Sequence, residues 1–176
     1  MKHELKEPFT KDKLKPLRAG DTVLLTGTIY AARDAAHRKL IELIDAGEPL
    51  PLEIENQMVY YAGPTPARPG KPIGSVGPTT SYRMDAFTPA LLRRGLAGMI
   101  GKGPRSEEVK ACAEEEGAVY FAAIGGAGAL IAQSVRSSEV VAFAELGTES
   151  IRRLDVVDMP LIVACDTLGG DIYDRK

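Results

Sequence analysis

Several residue types that often mark a function are scarce in this chain of 176 residues. It has two cysteines, Cys112 and Cys165, and two histidines, His3 and His37. The cysteines lie far apart and neither has a Cys-X-X-Cys neighbour, so they predict neither a structural disulfide nor a zinc or iron–sulfur site of their own. We interpret both as semi-buried thiols, and we assign no metal or cofactor ligand to this chain.

Charge and hydrophobic runs exclude further classes of protein. The formal net charge of -2 gives no reason to expect a nucleic-acid partner. No apolar run approaches the roughly 20 residues that span a bilayer. The charged N-terminal stretch also lacks the apolar core of a signal peptide. We therefore expect a cytoplasmic protein without a membrane partner.

Alternating strand and helix patterns predict an α/β domain with a mixed sheet flanked by helices. We expect an irregular N-terminal arm over residues 1–20 and a single domain over residues 21–176. A loop rich in proline and glycine is predicted over 63–77. Strands are predicted at 22–30, 58–62, 97–100, 118–124, 140–146, 151–158 and 161–165, and helices at 33–46, 82–94, 106–116 and 125–133.

Two glycine-rich spots resemble nucleotide-binding motifs but do not match them. The Gly-Lys pair at 101–102 is followed by Gly103 instead of serine or threonine, and Leu96 stands where a P-loop has glycine. The segment 126–131 lacks the third glycine of a dinucleotide fingerprint, and close packing of a strand against a helix explains its glycines. No Gly-X-Ser-X-Gly elbow occurs. The sequence therefore does not favour a nucleotide site or a serine hydrolase.

Segment 77–85, Gly-Pro-Thr-Thr-Ser-Tyr-Arg-Met-Asp, has the features of a helix start suited to anions. Gly-Pro makes a rigid turn, Thr80 or Ser81 can cap the helix, and Arg83 falls in the first turn. Free backbone N–H groups there favour anions, and an arginine can hold a carboxylate with two hydrogen bonds. A capped helix with a solvated arginine would give the same pattern.

Two other polar spots have the same ambiguity. Arg33 and His37 are four residues apart and share the face of a predicted helix, although a surface salt bridge would also explain Arg33. Lys102 stands between two glycines at a predicted strand end, where α/β sheets bind ligands, although a lysine in an exposed turn would give the same pattern. With Arg83, these residues would supply three cations to one cleft if the fold brings them together. Their spacing leaves that convergence open.

These motifs together resemble a known family, the β subunit of class I, iron–sulfur-dependent fumarate hydratase. The same region is the C-terminal domain of the single-chain enzymes, and the chain is also similar to the β subunit of L(+)-tartrate dehydratase. The combination of GPTTSxRMD, RDxxH and GKG is specific. The stretches that carry the resemblance are GTIYAARDAAHRKL (27–40), YYAGPTPARPGKPIGSVGPTTSYRMD (60–85), MIGKG (99–103) and the strand with following glycines at 118–130.

The resemblance implies a swivelling β/β/α domain and the reversible hydration of fumarate to malate. It implies a [4Fe-4S] cluster at a shared active site, bound by an α subunit and not by this chain, in a heterotetramer of two α and two β chains. L(+)-tartrate dehydratase β subunit is the alternative within the family. A non-catalytic module that binds dicarboxylates or a partner protein is the alternative from another class.

The resemblance also implies roles for individual residues. Thr79 occupies the position proposed as the catalytic base, although a threonine hydroxyl needs strong activation to accept a proton at neutral pH. His37 is expected to contribute to catalysis by orienting its neighbours. The residues implied to bind the substrate dicarboxylate are Arg33, Arg83, Lys102, Thr80 and Ser81.

Overall fold

A computed structural model describes residues 1–123 and 128–174 of the chain, and side chains 128–130 are not part of that description. Its strands are β1 (Lys2–Lys6), β2 (Thr22–Ala31), β3 (Met58–Tyr60), β4 (Gly98–Gly101), β5 (Val119–Ala123), β6 (Val135–Ala142) and β7 (Ile151–Cys165). Its α-helices are α1 (Lys11–Leu14), α2 (Asp34–Asp45), α3 (Thr88–Arg93), α4 (Glu107–Glu116) and α5 (Gly128–Ser134), with 3₁₀ helices at Ser81–Met84 and Ala144–Glu149.

The strands form one mixed sheet of seven strands in the order β1-β2-β3-β4-β5-β7-β6, with a further pairing between β2 and β7. Strands β1 to β5 pair in parallel, whereas β7 is antiparallel to β2, β5 and β6. Because β7 pairs with β2 and also with β5, the sheet closes on itself. The predicted mixed α/β sheet with flanking helices is confirmed, while the swivelling motion stays a prediction.

Alternate residues of the strands separate two hydrophobic clusters. On β5, Val119 and Phe121 belong to the cluster enclosed by the sheet, whereas Tyr120 and Ala122 belong to the cluster under the helices. Strand β3 alternates in the same way, since Tyr60 faces the enclosed cluster and its neighbour Val59 faces the helices. Both faces of these strands are therefore buried, which explains why they are almost entirely apolar.

Helix α4 has start and stop signals that can be read directly from its sequence. The Ser106 side chain accepts a hydrogen bond from the Val109 backbone N–H at 3.2 Å, and two glutamates follow in the first turn, where the helix dipole favours negative charge. Gly117 ends the helix at φ 72°, a left-handed conformation that costs glycine little. The predicted helix over 106–116 is confirmed for these reasons.

The opening segment is not irregular, so that secondary-structure prediction is wrong. Strand β1 pairs with β2, and Phe9, Leu14 and Leu17 are at most 2% exposed in the enclosed cluster. The charged residues around them obscured this short amphipathic pattern. The segment therefore supplies part of the core instead of preceding it.

Three other predicted elements differ from the structure. The strand predicted over 140–146 is instead the end of β6 (Val135–Ala142) followed by the 3₁₀ helix at Ala144–Glu149. The helix predicted over 82–94 is two shorter pieces, a 3₁₀ helix and α3, because Pro89 fits a new helical first turn better than a helix interior. The strands predicted at 151–158 and 161–165 are one strand, β7. Pro160 pairs with Leu24 of β2 on one edge of β7. It is tolerated because, on the other edge, the pairing with β6 ends at Val156 and the pairing with β5 starts at Leu161, so no partner there needs its missing N–H.

Part of the predicted strand-to-helix junction lies outside the described residues. The end of the strand predicted over 118–124 and the start of the helix predicted over 125–133 fall there, as do Gly126 and Ala127 of the glycine segment 126–131. The described parts, β5 and α5, agree with a strand followed by a helix.

The burial of the opening segment makes a testable prediction. Leu14 is fully buried and Leu168 is 68% exposed, so the same change to alanine provides a matched pair. We expect Leu14→Ala to lower the free energy of unfolding by about 2–5 kcal/mol, and Leu168→Ala to change it by about 0.5 kcal/mol or less. Urea unfolding followed by circular dichroism measures both. Equal stability of the two variants would show that the opening segment does not belong to the core.

Candidate active site

The candidate site lies where three neighbouring parallel strands end. Ala31 of β2 is beside Tyr60 of β3, and Tyr60 is beside Ile100 of β4. Because parallel strands place their carboxyl ends at one edge, the residues that follow them are brought together. Arg33 and Lys102 both follow directly from these strand ends.

Segment 77–85 runs across this edge and is held there by backbone hydrogen bonds. The Thr79 N–H donates to the Tyr61 carbonyl at 2.6 Å, and the Ser81 N–H donates to the Lys102 carbonyl at 2.9 Å. Thr80 and Lys102 form a parallel bridge. The structure therefore brings four of the predicted residues to one place, namely Thr79, Thr80, Ser81 and Lys102.

Ser81 is fully buried beside Tyr120 and has structural partners. The phenolic oxygen of Tyr120 lies 2.7 Å from the Ser81 hydroxyl and 2.7 Å from the Gly103 carbonyl. The carbonyl can only accept, so the single phenolic proton goes to Gly103 and the Ser81 hydroxyl donates to Tyr120. A side chain at Gly101 would collide with Ser81 and Tyr61, which explains that glycine. Direct contact of Ser81 with substrate stays a prediction.

Arg33 and Arg83 converge on the carboxylate of Asp34. The Arg83 Nε–H donates to Asp34 Oδ2 at 3.0 Å, and Arg33 Nε lies 4.0 Å from Asp34 Oδ1. The Arg33 side chain passes over Gly63, where a Cβ atom would lie only 3.0 Å from it. Two of the three predicted cations are thus adjacent, although they are fifty residues apart in the chain.

His37 is buried and 1% exposed, with its ring edge against Tyr61 and its face against Phe87. Its Nδ1 lies 2.8 Å from the Arg33 carbonyl, which can only accept, so Nδ1 carries the proton of the neutral ring. Burial lowers the pKa of His37 to about 4, and the hydrogen bond to Arg33 opposes this shift only in part. His37 is therefore neutral at pH 7 and fixes the turn that carries Arg33.

Sequence reasoning missed an ion pair beneath the edge between the buried Arg105 and Asp85, whose side chain is 15% exposed. Arg105 Nε donates to Asp85 Oδ1 at 2.7 Å, and its Nη2 donates to Thr88 Oγ1 at 2.9 Å and to the Tyr61 hydroxyl at 3.2 Å. The guanidinium also lies about 5 Å from the ring centres of Tyr61 and Tyr120. Asp85 is the last residue of segment 77–85, so the sequence drew attention to it. Arg105 follows Gly103 and Pro104 in a loop, where no periodic pattern indicates burial.

The cysteines of this chain do not fit an iron–sulfur cluster. Cys112 lies in α4 and Cys165 at the end of β7, both buried and away from the edge that carries Arg83 and Lys102. Burial raises the pKa of Cys165 to about 12, which disfavours the thiolate that a metal needs. Within residues 1–123 and 128–174, no three His, Cys, Asp or Glu side chains are arranged to hold a metal ion.

Comparison with known proteins places the chain in a family. The family model described as the fumarase C-terminus matches residues 1–176. The chain belongs to the fumarase C-terminal family. This confirms the resemblance to class I fumarate hydratase and to the tartrate dehydratase β subunit that the motifs indicated.

The relatives of this fumarase C-terminal chain are of two lengths. It is 44% identical over 86% of its length to the anaerobic class I fumarate hydratase of Escherichia coli, and 37% identical over 99% of its length to fumarate hydratase 2 of Leishmania major. The chain spans only 28% and 32% of those proteins. It is 40% identical to the "Putative L(+)-tartrate dehydratase subunit beta" of Methanocaldococcus jannaschii, and the match covers 95% of this chain and 89% of that protein. Among the described residues, no helix combines the length and apolar composition needed to cross a membrane.

The buried imidazole predicts a pH dependence of stability. The pKa of His37 is about 4 in the folded chain and about 6.5 in an unfolded one. Between these values the unfolded state binds more protons, so the free energy of unfolding falls as the pH falls. We expect this residue to account for up to about 3 kcal/mol of the loss between pH 6.5 and pH 4.

The matched variant is His37→Asn, whose amide N–H can still donate to the Arg33 carbonyl but which does not titrate. Urea unfolding at several pH values should give a shallower decline for His37→Asn than for the wild type. Parallel declines for the two proteins would contradict the buried neutral imidazole.

Proposed function

We propose that this chain is the β subunit of a two-chain fumarate hydratase, which converts fumarate and water reversibly to L-malate. The observation that supports this most directly is the meeting of Arg33, Arg83, Lys102 and Thr79 at one strand edge in a member of the fumarase C-terminal family. A dicarboxylate needs two cationic contacts, and this edge offers three cations.

The exposure of these cations favours a site completed by another chain. The Arg83 side chain is 44% exposed and Lys102 is exposed, so they lie on an open surface. Clefts of about 470 and 370 Å³ occur elsewhere, and neither is lined by Arg83 or Lys102. The M. jannaschii relative is named as a β subunit of similar length, whereas the fumarate hydratases are about three times longer. The proposed partner is an α subunit that also holds the [4Fe-4S] cluster, in a heterotetramer of two α and two β chains.

In this proposal the residues of the chain bind and orient the substrate. Arg33, Arg83 and Lys102 hold its carboxylates and stabilise the charge that develops on the carboxylate beside the carbanion. Thr79 Oγ1 accepts the proton from the carbon next to that carboxylate during dehydration and returns it during hydration. The C–H electron pair forms the new double bond and hydroxide leaves with the C–O pair; the cluster on the partner would supply the Lewis acidity for that departure. Since a neutral hydroxyl is a weak base, this step requires the nearby cations to favour the alkoxide.

The second candidate is L(+)-tartrate dehydratase, because the chain matches nearly the full length of a protein named as its β subunit. Both substrates are dicarboxylates, so the same cations serve either reaction. Anaerobic co-expression with a candidate α chain, followed by assays on fumarate and on L-tartrate, separates the two. Turnover of tartrate alone would replace the first proposal by the second, and turnover of neither would favour a non-catalytic module.

The carboxylate contacts predict the effect of removing one cation. In the assembled complex, we expect Arg83→Ala to lower kcat/KM by about 10²-fold or more, because a charge-assisted contact is lost at the substrate. Arg38→Ala on α2 is the matched control, since Arg38 is exposed and lies outside the proposed site. Steady-state kinetics with fumarate measure both variants. Full activity of Arg83→Ala would exclude the proposed contact.

The proposed base predicts a different kinetic signature. Thr79→Val keeps the shape of the side chain but removes the hydroxyl, so kcat should fall by about 10²–10⁴-fold while KM changes little. Thr167→Val, beyond the opposite end of the sheet, is the control and should leave both constants unchanged. A fall in kcat of less than about threefold for Thr79→Val would assign the proton transfer to another group.

A further inference from the structure

The carboxylate of Asp34 occupies an unusual position between two substrate-binding candidates. It accepts a hydrogen bond from Arg83 Nε at 3.0 Å and lies 4.0 Å from Arg33 Nε. Asp34 comes from the start of α2 and Arg83 from the 3₁₀ helix at Ser81–Met84, so the contact also joins two separate parts of the edge. The Asp34 and Arg33 side chains are only 21% and 28% exposed, so water screens this cluster incompletely.

Asp34 and Arg33 each have a polar atom that faces the other and lacks a hydrogen-bond partner among the described residues. Asp34 Oδ1 and Arg33 Nε are both buried, and neither has a hydrogen-bond partner among the residues the structure describes. Their separation of 4.0 Å is too long for a hydrogen bond. Buried polar groups usually have partners, so a small inward movement of Arg33 would satisfy both atoms at once.

The atoms used for these contacts determine which side of each guanidinium remains available. Arginine binds a carboxylate best through a pair of parallel N–H groups. Both arginines turn their Nε atoms toward Asp34. The two terminal nitrogens of each group then form the N–H pair that Asp34 does not use.

We propose that Asp34 is a positioning residue that holds Arg83 by a hydrogen bond to its Nε and Arg33 by the longer ion pair, and that it thereby presents the terminal nitrogens of both arginines to the two carboxylates of the substrate. This inference rests on the proposed function, because it assigns those arginines to a dicarboxylate. Asp34 also offsets the repulsion between two cations on one edge. An isolated surface ion pair would contribute little, but here one carboxylate orients two groups at once.

The first experiment examines the contact directly in the full chain. In the ¹H–¹⁵N spectrum of arginine side chains, Arg83→Lys identifies the Arg83 Nε–H signal by its loss. We expect exchange of this proton with water to accelerate at least about tenfold in Asp34→Ala, because a hydrogen-bonded proton is protected from exchange. Asp45→Ala on the same helix is the control, since Asp45 is exposed, and it should leave the exchange rate unchanged. A dispersed amide spectrum verifies that each variant is folded.

The second experiment measures coupling in the assembled complex. We expect Asp34→Asn to raise KM for the dicarboxylate about tenfold or more, while Asp45→Asn has no effect. In the Asp34→Asn/Arg83→Ala double variant, the loss in kcat/KM should be at least about fivefold smaller than the product of the single losses, because contacting residues are not additive. A merely structural role for Asp34 would give a multiplicative loss and a parallel loss of thermal stability.

The two experiments distinguish a failure of the positioning role from a failure of the proposed function. Unchanged exchange in Asp34→Ala, or multiplicative losses in the double variant, would overturn the positioning role even if the complex hydrates fumarate. A complex that converts neither fumarate nor tartrate would overturn the proposed function. In that case the exchange rate of the Arg83 Nε–H decides whether Asp34 positions this arginine.

Discussion

The double pairing of β7 is the constraint on which the candidate site depends. At Ile162, β7 is bound on one side to Thr22 of β2 and on the other to Ala122 of β5. This closure fixes the relative positions of the parallel strands between them. Their carboxyl ends therefore meet at a single edge, and Arg33 and Lys102 become neighbours of segment 77–85 although they are distant in the sequence.

A second constraint lies directly beneath that edge. The burial of Arg105 carries a large desolvation cost, which becomes tolerable only when hydrogen bonds satisfy this guanidinium and its partner Asp85. Asp85 Oδ2 accepts from the Ser106 N–H at 2.9 Å, while Arg105 contacts Thr88 and Tyr61. Through Tyr61, whose carbonyl accepts from Thr79, the pair is linked to the proposed base. The position of Thr79 at the surface thus depends in part on this ion pair.

The sequence predicted the elements whose signals are local. Ser106 and Gly117 mark the ends of α4, and the run of β-branched residues marks β2. The predictions were wrong where contacts between distant segments determine the secondary structure, as at the charged opening segment and at Pro160 inside β7. Of the candidate site, the residue types and their proximity to strand ends could be predicted. Their convergence, and the roles of Asp34, Asp85 and Arg105, could not, because these depend on contacts between segments that are remote in the chain.

The open edge has a charge pattern that suits a divided active site. A carboxylate is bound strongly by cations only where water is largely excluded, yet Arg83 is 44% exposed in this chain. Without a neighbouring carboxylate, the cations at this edge would repel one another. Asp34 offsets this repulsion at Arg33 and Arg83. Covering the edge by another surface would remove water and strengthen every contact with a dicarboxylate at the same time. In the proposed two-chain enzyme, one carboxylate beside several exposed cations would limit their repulsion in the free chain and leave them ready for a dicarboxylate when the edge is covered.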